Sequence, residues 1–246
     1  MKKKMLLGFF LVLWASPHVY CRPQRADFRP HQDPVGAIKR GNFQPVIEED
    51  EEGSMRVKNK YKTPEIKEAL YQLLINPPKG FGEKGEDFSE VYLLRIMGDI
   101  KETRAIPYLK KCLGDKGVAM SLGRMGEEGF NTLRAQLKNK EKKMPASYVI
   151  ALAEMARKGD VGYINEAVKR KEIRGWLLKA LNNSDEDGRK YAVRGIGEFA
   201  VQGDTEAVAL INKLATTDKT VGRSKDYPIR NEATKVLHKL NQKNNK

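Results

Sequence analysis

Residues 88–115, FSEVYLLRIMGDIKETRAIPYLKKCLGD, constrain the fold more than any other stretch. Val91, Leu94 and Met97, flanked by Leu93, Ile96 and Ile100, recur at helical spacing and form one apolar stripe. Ile106, Leu109 and Leu113 form a second. Gly98-Asp99 marks the turn between them, and Gly114-Asp115 stops the second helix. Pro107 falls in the opening turn of that helix, where an amide has no intrahelical partner to lose. Neither helix buries its stripe alone. A chain built this way has to stack helix pairs, and it supplies more of them.

Thr63-Pro64-Glu65 opens a helix that runs through Ile75 with Ile66, Leu70, Leu73 and Leu74 inward. Gly117 to Asn139 predicts a second pair, in which Leu122-Gly123 mirrors Met97-Gly98 and Phe130, Leu133 and Leu137 line the later helix. Pro145 to Arg170 predicts a third, with Ala151, Met155 and Ala156 in place of the Leu-Gly step and Tyr163, Ile164 and Val168 packed behind. A further helix follows over Ile173–Leu181. Asp185 to Leu214 predicts another pair through Ala192, Ile196-Gly197, Ala207, Leu210, Ile211 and Leu214, and Pro228-Ile229-Arg230 opens the last helix.

Met97-Gly98, Ala105-Ile106-Pro107, Leu109, Leu113 and Asp115 together resemble the short bacterial HEAT repeat of the phycobilisome-lyase-like type. Asp187, Arg189, Ala192 and Ile196-Gly197 resemble its Asp-x-x-Arg-x-x-Ala-x-x-x-Leu-Gly opening. The resemblance implies an all-α fold: a right-handed α-solenoid of antiparallel helix pairs over 64–246, of the armadillo-like helical kind, used as a scaffold or binding surface. It does not imply lyase activity.

The chain start reads differently. Lys2, Lys3 and Lys4 precede an apolar run from Met5 to Ala15, a charged head and an apolar core of export-signal length. The run is shorter than the ~20 residues that a membrane-spanning helix needs. Residues 1–21 are therefore expected to be a signal peptide cut after Cys21, placing the protein in the periplasm or outside the cell. Lipidation of Cys21 is the minority reading, because Val19 and Tyr20 stand where that signal wants small residues. Cleavage takes the 46 Lys and Arg down to 43 against 32 Asp and Glu, a net charge of +11, and leaves Cys112 without a disulfide partner. Residues 22–63 carry four prolines, the acidic run Glu48–Glu52 and the basic residues Arg56, Lys58, Lys60 and Lys62, and read as a disordered linker. Within it, Phe43-Gln-Pro-Val-Ile47 is a candidate interaction motif.

Catalytic and metal signatures fail on inspection. Asn183-x-Asp185-x-Asp187-Gly188 matches half of a calcium loop, but Arg194 stands where the ion needs a bidentate acid; the segment is better read as a turn capped by Ser184 and Asp187. Gly195-x-Gly197-x-x-Ala200 satisfies the dinucleotide pattern inside an expected helix, where it has no meaning. His31 and His238 are too far apart in kind and place to pair. No catalytic, cofactor-binding or metal-binding residue is nominated, and the chain is read as a non-enzyme.

The basic excess is the one pointer to a partner. Lys169, Arg170, Lys171, Arg174 and Lys179 crowd one region, and Lys138, Lys140, Lys142 and Lys143 another. The first group is the expected binding surface for a protein partner, an acidic one fitting best. An anionic envelope polymer or lipid headgroups is the alternative, and export disfavours nucleic acid. A lyase-type enzyme on the same scaffold ranks below both. Reversing Arg170 and Arg174 to Glu is expected to weaken binding with little effect on stability.

Overall fold

The computed structural model describes residues 33–49, 55–81, 90–138, 144–159, 162–219 and 227–244. These are mostly helical. Eleven α-helices and one two-stranded hairpin are present among them. The signal-like start, residues 82–89, Lys140, Lys142 and Lys143 lie outside the described residues.

Five helices form one layer: α3 (Glu90–Met97), α5 (Lys116–Arg124), α7 (Ala146–Ala156), α9 (Glu186–Val201) and α11 (Pro228–Asn244). Each packs on the next in that order. The intervening helices α4 (Ile106–Lys111), α6 (Glu127–Leu137), α8 (Ala167–Asn183) and α10 (Thr205–Thr217) lie behind, each against its neighbours in the first layer. Aspartates start three of these helices. Asp115, Asp185 and Asp204 accept the amides of Val118, Gly188 and Ala207, each at 2.9 Å. The cap of α9 is thus Asp185, rather than Ser184 and Asp187. Ser184 donates instead to the Met144 carbonyl at 2.7 Å.

Small residues set the distance between helices of the first layer. A Cβ on Gly98 would lie 2.0 Å from the Ser121 carbonyl oxygen, and one on Gly123 would lie 2.5 Å from that of Ala151. One on Gly195 would lie 3.1 Å from the Cα of Ala153, and one on Gly197 2.6 Å from Val236. These contacts share one register. Gly98 meets the residue two before Gly123, Gly123 meets the residue two before Ala153, and Ala153 meets the residue two before Gly197. The same rule carries Gly197, through Val236, to His238 on α11. Residues 98, 123, 153, 197 and 238 are therefore equivalent. In the third unit the close crossing falls at Leu152-Ala153, where alanine does the work of glycine.

Residues 33–63 differ from expectation. The disordered-linker reading is corrected for 33–49 and 55–63, which form a packed cap. Helix α1 (Pro34–Lys39) packs on α2 (Pro64–Ile75), and a hairpin of β1 (Ile47–Glu49) and β2 (Met55–Val57) sits against α3. Ile47 pairs with Val57, and Glu48 pairs with Arg56, so one acid of the acidic run faces one cation of the basic run across the strands. Ala37, Ile38, Phe43, Val46 and Val57 are buried, and the Phe43 ring lies 6.5 Å from that of Phe81. The segment of the suspected interaction motif is spent on the protein's own core. What ties the cap down is Asp99, 3% exposed, which accepts the Val57 amide at 2.9 Å, Lys62 Nζ at 2.9 Å and Arg56 Nη1 at 3.3 Å.

A second correction concerns α8. The later helix expected within Pro145–Arg170 and the helix expected over Ile173–Leu181 are one helix of 17 residues, and residues 163–166 before it are irregular. Ile164 is buried from that irregular segment, but Val168 is 71% exposed and packs behind nothing. Leu109 lies fully buried between the layers, as its stripe predicts. Leu109→Ala is expected to cost about 2–5 kcal/mol in lost transfer energy and cavity, read as a lower urea midpoint.

Candidate functional site

The cations expected to meet a partner are largely engaged within the chain. Lys169 pairs with Glu127 and with Glu166. Arg174 holds Asp204 at 2.7 Å and Glu206 at 2.8 Å, bridging α8 to the start of α10. Arg170 donates to the Ile164 carbonyl at 3.0 Å and to Gln202 Oε1 at 2.7 Å, and its guanidinium lies 4.8 Å from the Tyr163 ring centre and 4.5 Å from that of Phe199. Burial lowers the Arg170 pKa from its ordinary value. Gln202 in turn donates to the carbonyls of Ala156 and Glu198. Arg170 therefore pins the 157–166 segment to the turn between α9 and α10. Lys171 and Lys179 remain exposed on α8. The anticipated crowding of like charges is relieved internally, so the reversal of Arg170 and Arg174 is no neutral surface change. Arg170→Glu is expected to lower stability by about 1–3 kcal/mol, through lost hydrogen bonds and an acid among aromatic rings. A melting temperature equal to wild type would contradict this.

The carboxylates in these pairs respond to acid. Burial acts to raise the Asp204 pKa, but the Ala207 amide and Arg174 outweigh it and hold the carboxyl below its usual value. The bidentate Arg95 lowers Asp115 likewise. A depressed folded-state value contributes stability above the unfolded value of about 3.9 and loses it as pH falls through the folded one. These two contributions act at neutral pH and vanish only in strong acid.

The structure draws attention to a different surface. A cleft of about 420 Å³ opens over α5, α7, α9 and α11, lined among others by Lys116, Ser147, Ile150, Tyr191, Arg194 and Lys235. A second, of about 230 Å³, adjoins it through the shared residues Lys116, Arg194, Glu232 and Lys235, and continues past Gly197 and Glu198 to Lys239. Lys116 Nζ lies 5.2 Å and Arg194 Cζ 4.9 Å from the Tyr191 ring centre. Arg194 then holds the largely buried Glu232 at 3.0 Å, and Lys235 approaches the same carboxylate at 3.6 Å. A line of charged groups with the Tyr191 ring in its middle thus crosses three helices.

The crossing register explains this lining. Ile150, Arg194 and Lys235 stand three residues before Ala153, Gly197 and His238. Ser147, Tyr191 and Glu232 stand six before them. Lys116, Ala146 and Lys190 stand seven before Gly123, Ala153 and Gly197. Positions three and seven apart share a helix face, so the clefts are one face repeated along the layer. Where that register holds a long arginine, it bridges to the next helix: Arg95 reaches Asp115, and Arg194 reaches Glu232. Where it holds Met120 and Ile150, no such bridge can form, and the larger cleft opens there. In the sequence Asp187 and Gly197 entered only through the repeat pattern and rejected motifs, and Arg194 only through a rejected one. Lys116, Ser147, Ile150, Tyr191 and Lys235 were not singled out, because their common face appears only once the helices are aligned by contact.

Among the described residues, no three His, Cys, Asp or Glu side chains group as a metal site would require, and no helix is long and apolar enough to cross a membrane. Set against known proteins, the chain matches no family model, no curated protein and no solved structure.

Proposed function

We propose that this chain is an exported, non-catalytic helical-repeat scaffold, a right-handed α-solenoid of HEAT-like type that holds an acidic, extended segment of a protein partner. The observation that carries the reading is the repeated face: two adjoining clefts built from equivalent positions on four successive helices. Stacked repeats generate such a long surface without any dedicated site. Five cations line it, Lys116, Lys190, Arg194, Lys235 and Lys239, against the acids Asp187, Glu198 and Glu232. The pairs within single helices, Lys190 with Asp187 and Lys235 with Glu232, are long and solvent-exposed on at least one side. Such pairs contribute little to stability, and their lysines can turn to a partner carboxylate at small cost. Tyr191, largely buried beneath Lys116 and Arg194, floors the cleft and holds those two cations in place. Export rests on the Lys2–Lys4 head and the short apolar run that follows it.

The test is binding of a fluorescent peptide of alternating Asp, Glu and Tyr to the wild type and to a Lys116→Glu, Lys239→Glu variant. Both lysines are exposed, so the variant should keep its fold. Binding should weaken about tenfold at low salt, with the difference shrinking at high salt as screening grows. Equal binding by both proteins at low salt would refute the reading.

A further inference from the structure

The opposite side of α9 carries a second surface of different chemistry. Asp187, Lys190, Tyr191 and Arg194 line the clefts just described, whereas Arg189, two residues off that stripe, lines a cleft on the α8–α10 side. This cleft is the largest of the three, at about 530 Å³. Its walls are Leu178 and Leu181 on α8 and Leu210 and Leu214 on α10, and Ile229 of α11 contributes to its lining. The leucines are half-buried, so their outer faces meet solvent.

The geometry of the two wall helices explains the opening. Near the start of α10, Arg174 clamps α8 to Asp204 and Glu206. Four and seven residues further along α8, Leu178 and Leu181 stand opposite Leu210 and Leu214 of α10 across the cleft. The neighbouring pair behaves differently: α6 and α8 are joined by Arg134 to Glu172 at 3.0 Å and by the Phe130 and Trp176 rings at 5.7 Å. The lining also includes three cations, Arg189, Lys213 and Lys219, against the single acid Asp218.

We propose that this cleft docks one amphipathic helix of a protein partner, its leucine-like side chains down between α8 and α10 and its acidic side chains against Arg189, Lys213 and Lys219. Leucines spaced three apart on one wall and four apart on the other present ridges to which a helix stripe of the same spacing is complementary. The basic lining supplies the sign of the flanking charges and steers the encounter. Because α9 separates this cleft from the acidic-segment face, the domain can hold two partners at once, as a scaffold does. The helix-docking claim stands independently of the first face.

The experiment uses the full chain and a fluorescein-labelled peptide of about 18 residues, five helical turns, carrying Leu at positions i, i+3, i+4 and i+7 with Glu on either side. The control is the same composition scrambled so that no apolar stripe forms. The striped peptide should bind and the scrambled one should not. Leu181→Gln with Leu214→Gln should weaken binding about tenfold. Lys213→Glu with Lys219→Glu should weaken it at low salt and less at high salt. Circular dichroism checks the fold of each variant, and the two exposed lysines decide the matter if the leucine variant unfolds. Lys116→Glu with Lys239→Glu should leave this affinity unchanged, so failure of either surface is separately visible. Equal binding of striped and scrambled peptides, or full binding by the folded variants, would overturn the proposal. So would loss of self-association in sedimentation, or of anionic-vesicle binding, in the groove variants without any peptide binding by the wild type; those results would assign the cleft to a second copy or to lipid.

Discussion

Gly98→Val is expected to break the stack at its first crossing. The new Cβ would lie 2.0 Å from the Ser121 carbonyl oxygen and 2.7 Å from the Ser121 Cα, and both are backbone atoms that no rotamer change can move. Helices α3 and α5 would have to separate. Gly98 N would then lose its 2.7 Å hydrogen bond to Ser121 Oγ. Overpacking with a lost buried hydrogen bond should cost about 3 kcal/mol or more, a large part of the stability of an ordinary domain. Gly175→Ala supplies the control. Gly175 lies inside α8, and a Cβ there would meet nothing within 4 Å. That substitution should stabilise by about 0.5–1 kcal/mol, because alanine loses less backbone freedom on folding into a helix. Urea midpoints of the two variants should move in opposite directions, and a Gly98→Val protein as stable as wild type would mean that α3 and α5 do not cross there.

Asp99→Ala should release the N-terminal cap. The carboxylate is almost wholly buried and joins an amide of β2 to two cations. Removing it leaves the Val57 amide and the Lys62 and Arg56 charges facing an apolar side chain, a loss of about 3–5 kcal/mol by analogy with other broken buried pairs. The damage should be local, since each helix of the layer packs mainly on its immediate neighbours and the cap packs mainly on α2 and α3. Amide hydrogen exchange should show lost protection in α1, the hairpin and α2, with α7 and α9 nearly as protected as before. Unchanged protection in residues 33–63 would show that the cap is held by its apolar core alone.

The helix α1 and the single run of α8 were not legible in the sequence, but most helices from α2 onward were. Local chemistry is enough to mark them: stripes at 3.6-residue spacing in 88–113, proline in the first turn of α2 and α4, and acids just before α5, α9 and α10. Gly98, Gly123 and Gly197 were legible as the glycine of a repeated apolar-Gly step, but Gly98 read as a turn marker, and its role as a close crossing came only from the packing. The third crossing was misplaced because Ala153 is small enough to serve, and alanines are too common in helices to stand out.

Contacts between segments far apart in sequence were decided by the tertiary structure alone. Residues 33–63 are poor in apolar residues and rich in charge, and by themselves they cannot offset the entropy of ordering. Residues 33–49 and 55–63 pack because Asp99, just past α3, offers a buried carboxylate and α3 an apolar surface, neither of which composition can reveal. Arg170 and Arg174 read as a repulsive cluster along the chain, yet Gln202, Asp204 and Glu206, some thirty residues away, neutralise or bind them. Lys116, Tyr191 and Lys235 stand on three helices and become neighbours only through the register of the crossings. Sequence by itself determined most of the helices from α2 onward, because those depend on near neighbours; that α1 forms at all, and which faces the helices leave open, depend on contacts and distances between segments, and those only packing sets.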